Sequence, residues 1–281
     1  MKRVTGSERR KQLLFTTIGL IVGIVFLFPL YWMLVTAFKS EAEIFQSPPT
    51  LFPKIVYLGA VIGQFTGDYN ILGAFKNSTI IAVTAMIIST CLAIPASYGL
   101  ARFNFKGKKL FIFLFLTTQM LPATLVLTPL FMIFKSFGLL NTYFAPILAD
   151  ATIGIPFSVL ILRTYFVSIP KELEEAAKID GCNHFAAFFK IMLPIASPGV
   201  VVAAVFSFMF AWGDLIYGLT FIGKPENRPI TAGIYNALQQ YSTSWNSTMS
   251  FGIISILPVV VIFTFMQRYI ISGLTNGAVK A

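Results

Sequence analysis

Long stretches of the chain carry no charged residue. Charge-free gaps lie at 12–38, 77–101, 110–134, 191–212 and 251–266, and they consist mainly of apolar side chains. Because an α-helix rises about 1.5 Å per residue, such gaps suit helices that cross a bilayer core of about 30 Å. A further apolar stretch, 143–167, is interrupted by Asp150 and Arg163, and we interpret it as a sixth span with functional or interfacial charges.

This pattern predicts an all-α integral membrane protein with six transmembrane helices, a single transmembrane domain over 1–281. The spans are expected at about 13–38, 77–101, 110–134, 143–167, 199–222 and 249–270. A tail at 1–12, a polar loop at 168–198 between the fourth and fifth spans, and a tail at 271–281 lie outside them.

The composition supports lipid rather than water as the solvent. The chain is 56% hydrophobic and 11% charged, with a mean hydropathy of +0.79, whereas a soluble domain is about 25% charged. Such a sequence is neither an ordinary soluble protein nor a disordered one.

The net charge of +10 has a topological explanation. Most of the Lys and Arg residues fall in the two tails and in the loops on the same side of the membrane. The positive-inside rule therefore predicts that both termini are cytoplasmic. These cations suit anionic headgroups, and a basic groove with interleaved aromatic residues is absent, so we expect membrane lipid and not nucleic acid as a partner.

Residues for covalent chemistry are scarce. His184 is the single histidine, Cys91 and Cys182 are the two cysteines, and the sequence has no P-loop. A histidine-based metal site, a nucleophile–histidine pair and a phosphate cradle are all unsupported. We expect no catalytic, cofactor-binding or metal-binding residues, and a protein that conducts, transports, anchors or scaffolds.

The polar loop 168–198 has a helical pattern. Ser168 and Pro170 suit a helix start, and Glu174 with Lys178 forms an i,i+4 pair in the favoured order. Gly181 is well placed to end this helix in a left-handed turn. A second short helix, from Phe185 to about Met192, is expected to be capped by Asn183 and to end at Pro194.

One face of the first helix suits close docking. Leu173, Ala176, Ala177 and Asp180 follow the helical repeat, and alanine lets the backbone of a partner approach. The alternative is an amphipathic helix that lies on the headgroups, but such a helix carries Lys and Arg on its polar face. The first turn here is acidic, which favours docking to a protein.

The same loop contains a signature. It begins with Glu175–Ala176–Ala177 and continues with Gly181 after three residues, Ile191 after nine more, and Leu193–Pro194 after one more. This pattern resembles the signature of ABC importer permeases. The wider sequence resembles the carbohydrate-importer branch, and in particular the second of the paired maltose-type permeases. The segments that carry this wider resemblance are 28–32, 96–103 and 273–280.

The resemblance implies a permease that forms half of a sugar pathway in a bacterial or archaeal cell membrane. Its partners would be a second homologous permease, two copies of a cytoplasmic ATPase that bind the ATP, and an extracytoplasmic solute-binding protein. The chain itself would hold no cofactor. The residues that would couple it to the ATPase are Glu175, Ala176, Ala177, Asp180, Gly181, Ile191, Leu193 and Pro194.

Two carboxylates are candidates for the translocation path. Asp150 and Asp214 fall within or at the ends of spans, where burial of a charge against lipid is expensive. They could bind sugar hydroxyls or gate the path, or they could lie hydrated at the outer interface. The outer loop 224–247 would face the binding protein or belong to an interfacial aromatic belt.

Two other functions remain open from the sequence. One is an ABC permease for a solute other than a sugar. The other is an ion-coupled secondary transporter that acts alone, although such carriers usually have buried ionisable relays and often inverted repeats. This chain offers only Asp150 and Asp214 for a relay and has no evident repeat.

Overall fold

The structure is a computed structural model that describes the backbone of residues 6–66, 70–240 and 244–275. Side chains are described for 10–66, 70–235 and 244–267. The tails predicted at 1–12 and 271–281 therefore lie partly outside the described residues. Within the described ranges the chain is helical and has no β-strand, which confirms the predicted all-α fold.

The helices are numbered along the chain. They are α1 (Gly6–Ala37), α2 (Glu41–Ile44), α3 (Gly59–Thr66), α4 (Ile71–Arg102), α5 (Lys108–Met120), α6 (Ala123–Ser136), α7 (Phe144–Ser168), α8 (Lys171–Ile179), α9 (His184–Ala187), α10 (Leu193–Ile195), α11 (Ser197–Gly213), α12 (Ile216–Phe221), α13 (Ile230–Gln240) and α14 (Trp245–Thr275). A π-helical turn, Phe188–Met192, joins α9 to α10.

Within the described residues, four stretches are long and apolar enough to cross a membrane as single helices. They lie in α1, α4, α7 and α14, and they coincide with the first, second, fourth and sixth predicted spans. Two bent pairs of helices raise the number to six if each pair is one span. The structure thus accommodates the six predicted spans, but two of them are broken.

The third predicted span, 110–134, is two helices rather than one. The axes of α5 and α6 differ by 99°. Leu121 between them has an extended backbone (ψ 126°) and precedes Pro122, which lacks an N–H and disfavours a helical conformation at the residue before it.

The fifth predicted span, 199–222, is also interrupted. Helix α11 ends at Gly213, Asp214 has an extended backbone (ψ 128°), and α12 begins at Ile216. At its other end α11 meets the segment His184–Ile195 at 72°.

The contacts within the chain group it into two compact units. The first unit comprises Met1–Tyr69 and Asn236–Ile254, and the second comprises Asn70–Tyr235 and Ser255–Ala281. In the first unit, Asn246 donates from its backbone N–H to Glu41 Oε1 (3.0 Å) and from its side chain to the Lys39 carbonyl (3.1 Å). The apolar side chains of α1 are largely exposed, as lipid or another membrane helix would require.

The second unit is built on α4, α7 and α11, which pack against one another. Small residues allow a close approach at their crossing: Gly154 of α7 lies against Ser89 of α4 and Ser207 of α11. Ser207 also shares a hydrogen bond of 3.0 Å with Ser158. Close helix contacts through small and hydroxyl side chains are typical of membrane proteins.

Candidate functional site

Helix α8 begins and ends where its sequence requires. Pro170 has an extended backbone and precedes the first helical residue. At the other end Gly181 has φ +85°, a conformation in which a side chain is strained. The Gly181 N–H donates to the Lys178 carbonyl (3.1 Å) and the Cys182 N–H to the Ala177 carbonyl (2.9 Å). This is a Schellman motif, and it confirms the predicted left-handed ending.

Two other local predictions need correction. Ser168 does not start α8: it is the last residue of α7, and its hydroxyl donates to the Tyr165 carbonyl (2.8 Å). Pro194 does not end the second helix, because helical backbone runs through the π-turn into α10. The predicted cap of the second helix is confirmed, because Asn183 Oδ1 accepts the Ala186 N–H at 2.8 Å.

The predicted docking face of α8 is split. Leu173 is 43% exposed, and Glu175, Ala176 and Asp180 are exposed as well. Ala177 is only 2% exposed and packs against the protein itself. The signature residues therefore divide into outward-facing ones and an inward-facing alanine.

The segment after Gly181 is partly buried. Met192 and Phe188 of the π-turn belong to an apolar cluster with Tyr98 of α4 and Phe166 of α7. Ile191 and Leu193 are half-buried, whereas Pro194 is exposed. The loop is thus packed onto the ends of two membrane helices.

The central polar contact of this site was not predicted from the sequence. Glu174 is buried, and its Oε1 accepts a hydrogen bond of 3.1 Å from the Tyr98 hydroxyl. Its Oε2 lies 3.5 Å from Arg102 Nε. The predicted pair with Lys178 is confirmed at 3.2 Å, and His184 Nδ1 lies 4.0 Å from Oε1.

Arg102 connects further segments of the loop. Its Nη2 donates to the Ile169 carbonyl (2.8 Å) and contacts the Met192 sulfur (3.9 Å). One guanidinium at the end of α4 therefore touches the chain before α8, α8 itself and the π-turn. The apolar gap before Arg102 indicated a helix end, but nothing in the sequence linked this residue to Glu174.

The two carboxylates predicted for the path occupy different environments. Asp150 of α7 is 6% exposed, and among the described residues its Oδ2 has no hydrogen-bond partner. Asp214 Oδ2 accepts the Gly218 N–H at 3.0 Å and so stabilises the start of α12. The Tyr217 hydroxyl of α12 is also buried and, like Asp150 Oδ2, has no hydrogen-bond partner among the described residues.

A hydrogen-bonded turn lies near the other end of α4. Asn77 donates from its side chain to the carbonyls of Glu226 (2.9 Å) and Arg228 (3.1 Å), and it accepts the Tyr143 hydroxyl at 2.7 Å. In the predicted outer loop 224–247, Tyr235 and Trp245 are exposed, whereas Tyr241 lies outside the described residues.

The fold resembles that of solved membrane transporters. A chain from the crystal structure of a bacterial ABC transporter involved in the import of the acidic polysaccharide alginate matches with a TM-score of 0.77 and 22% identity, over 96% of this chain and 99% of that one. A second crystal structure, of a bacterial alginate ABC transporter in complex with alginate pentasaccharide-bound periplasmic protein, matches with a TM-score of 0.65 and 17% identity over 95% and 96% of the chains. The fold is that of an ABC transporter permease.

Curated relatives cover most of the chain. The probable ABC transporter permease protein YurM of Bacillus subtilis is 36% identical over 90% of this chain and 83% of its own length. The diacetylchitobiose uptake system permease protein DasC of Streptomyces coelicolor is 32% identical over 94% and 95%. The trehalose transport system permease protein SugB of Mycobacterium tuberculosis is 34% identical over 93% and 94%.

The family model described as binding-protein-dependent transport system inner membrane component matches residues 91–276. The chain belongs to this family. It is an ABC importer permease of the sugar branch, a membrane transport subunit rather than an enzyme.

Proposed function

We propose that the chain forms half of the translocation pathway of an ATP-driven, binding-protein-dependent importer for an oligosaccharide, with a second homologous permease forming the other half. The relatives DasC and SugB are named for the uptake of diacetylchitobiose and trehalose, and these names support the substrate class. The observation that carries the proposal is α8, a helix with an exposed signature face on a firmly packed base.

The proposal assigns α8 the role of a coupling helix. Glu175, Ala176 and Asp180 face outward and would contact a cleft on a cytoplasmic ATPase subunit. Gly181 fixes the end of the helix, and the half-buried Ile191 and Leu193 would brace the following segment, in which Pro194 is exposed. Ala177 faces the body of the permease, and its small side chain would let α8 pack closely there. ATP would bind to two copies of the ATPase and not to this chain.

The topology follows from the distribution of cations. Both termini and the loop with α8 would be cytoplasmic, which places the turn around Asn77 on the outside. The hydrogen bonds of Asn77 give that outer turn a fixed shape, as a docking surface for a solute-binding protein requires. Asp150 and Asp214 would line the path between the two sides.

Assembly and uptake test this function together. The tagged chain, purified in mild detergent with its neighbouring gene products, is expected to bring a second permease and an ATPase. In proteoliposomes loaded with ATP, uptake of labelled trehalose or diacetylchitobiose is expected only when the binding protein is added. A chain that purifies alone and drives uptake with an ion gradient would contradict the proposal and support the secondary transporter.

A charge reversal on α8 tests the coupling role. We propose that Glu175 meets basic groups on the rim of the ATPase cleft. Glu175→Lys would then face like charges, and we expect it to lower ATP-driven uptake at least about tenfold, because a like-charge contact at an interface costs several kcal/mol. Glu172→Lys is the matched control, since Glu172 is also an exposed carboxylate of α8 but lies outside the signature. Equal uptake by the two variants would contradict the assignment of Glu175.

A further inference from the structure

The contacts of Glu174 indicate how a movement of α8 reaches the membrane helices. We propose that Glu174 is a positioning residue: with Tyr98 and Arg102 it fastens α8 to the last turns of α4, so that the two helices move together. This inference rests on the proposed coupling of α8 to an ATPase. It concerns Glu174, which precedes the signature, and not the outward-facing Glu175.

Helix α8 has few anchors. Of its nine residues only Glu174 and Ala177 are buried. Ala177 presents a single methyl group and can resist compression but not separation. When α8 moves away from the body of the permease, only the side chain of Glu174 and the backbone at the two ends of the helix can transmit the force.

Glu174 is suited to this load because both carboxylate oxygens are engaged by α4. The Tyr98 hydroxyl donates a hydrogen bond to Oε1 at 3.1 Å, whereas Arg102 Nε forms an ion pair with Oε2 at 3.5 Å without making a hydrogen bond. Tyr98 and Arg102 are one helical turn apart on the same face of α4. The side chains of Arg102 and Glu174 are 5% and 9% exposed, so water competes little for these contacts.

The α4 residues are themselves immobilised. The Tyr98 ring packs edge-on against Phe166 of α7, with 5.5 Å between ring centroids, and in a tilted arrangement against Phe188 of the π-turn, with 4.7 Å between centroids. Arg102 holds the carbonyl of Ile169. A force on Glu174 would therefore be transmitted to α4 and α7 rather than absorbed by a side-chain rotation.

Hydrogen exchange in the assembled complex tests this transmission. Exchange is measured by mass spectrometry with and without a non-hydrolysable ATP analogue, in the wild type, in Glu174→Gln and in the matched control Glu172→Gln. We expect the analogue to change exchange in both α8 and residues 96–102 of α4 in the wild type and in the control. In Glu174→Gln the change in α8 should persist, while the change in α4 should fall about tenfold.

The outcomes separate the two proposals. If the analogue changes neither helix in the wild type, the coupling function fails, and this inference fails with it. If α8 and α4 respond in Glu174→Gln as they do in the wild type, the coupling function stands and the role of Glu174 is wrong. A purely structural role would reduce the amount of assembled complex without separating the two responses.

A milder variant tests the proposal if Glu174→Gln does not assemble with the ATPase. Tyr98→Phe removes one hydroxyl and keeps the ring in the apolar cluster. If Glu174→Gln does not assemble with the ATPase, Tyr98→Phe is expected to lower the response of α4 about two- to threefold with α8 unchanged. An unchanged response of α4 in Tyr98→Phe would then overturn the proposal.

Discussion

Gly181 shows how one residue sets the geometry of the coupling segment. Its φ of +85° lets the chain reverse directly after α8. Nothing lies within 4 Å of the position that a Cβ would occupy there, so the requirement for glycine comes from the backbone and not from crowding. A substitution at this position therefore reports on backbone strain alone.

Gly181→Val should strain this turn, because a β-branched residue in the left-handed region costs about 1–2 kcal/mol. We expect faster hydrogen exchange in α8 and weaker retention of the ATPase during purification. Gly181→Asn is the control, since asparagine tolerates this region, and it should behave nearly as the wild type. Equal effects of both variants would show that some other property of glycine is needed.

Glu43 provides a pH-dependent contact in the first unit. Its Oε1 accepts the Lys54 N–H at 2.9 Å and the Thr50 hydroxyl at 2.8 Å. The Lys54 N–H lowers the pKa of Glu43 from its ordinary value; burial opposes this shift, and the Thr50 hydroxyl and the charges of Lys39 and Lys54 support it. A lowered pKa means that the folded state favours the ionised carboxylate.

The ionised form of Glu43 therefore stabilises the fold above the ordinary pKa of a glutamate, and this contribution is lost as the pH falls through the lowered pKa. We expect the wild type to melt at a higher temperature than Glu43→Gln at pH 7. The difference should shrink as the pH falls below the ordinary pKa of a glutamate, about 4.3, and vanish once the pH is below the lowered pKa of Glu43. Melting curves of both proteins in detergent at a series of pH values measure it, and a difference that is the same at every pH would refute this account.

The helices were predictable as elements, but their breaks were not. The charge-free gaps indicated five of the six apolar stretches, because lipid excludes charge from a span, and the sixth was predicted although Asp150 and Arg163 interrupt it. Proline could not mark the breaks, since α1, α4, α7 and α14 each continue through an internal proline. Neighbouring helices satisfy the freed carbonyls in such cases. Pro122 differs because the residue before it adopts an extended backbone, which depends on tertiary packing.

The π-turn is the element that anchors the coupling loop. Met192 is fully buried in the cluster with Tyr98 and Phe166, whereas Phe189 in the same turn is 60% exposed. Met192→Ala should lower the free energy of unfolding by about 2–5 kcal/mol, as expected for a core truncation. Phe189→Ala should change it by less than about 1 kcal/mol.

Thermal denaturation of the two purified variants in the same detergent measures this contrast. A clear drop in melting temperature for Met192→Ala alone is the expected result. Similar losses for both variants would mean that the exposed ring of Phe189 is covered in the assembled protein.

At the scale of the whole molecule, the sequence predicted contacts between neighbouring residues but not contacts between residues far apart in the chain. The Schellman ending, the Asn183 cap and the pair of Glu174 with Lys178 all depend on residues within five positions of one another, and the structure confirms them. The contact of Glu174 with Tyr98 joins residues 76 positions apart. No periodicity encodes such a pairing, because it exists only after α4 and α7 have packed.

The same limit applies to burial. The helical repeat placed Ala177 on the docking face with Leu173 and Ala176, and the structure places it against the permease. A repeat defines which residues share a face, but the position of that face relative to the body depends on how α8 is anchored. Glu174 supplies that anchor, one turn before the inward-facing alanine.

The outward and inward faces of α8 allow a direct test of coupling. In a chain whose Cys91 and Cys182 are replaced by serine, Ala176→Cys places a thiol on the exposed face and Ala177→Cys places one on the buried face. We predict that a short thiol cross-linker joins Ala176→Cys to the ATPase subunit in membranes, with a yield that changes when ATP is added. Ala177→Cys should give no such product. A cross-link from Ala177→Cys, or none from Ala176→Cys in a complex that still takes up sugar, would contradict the account.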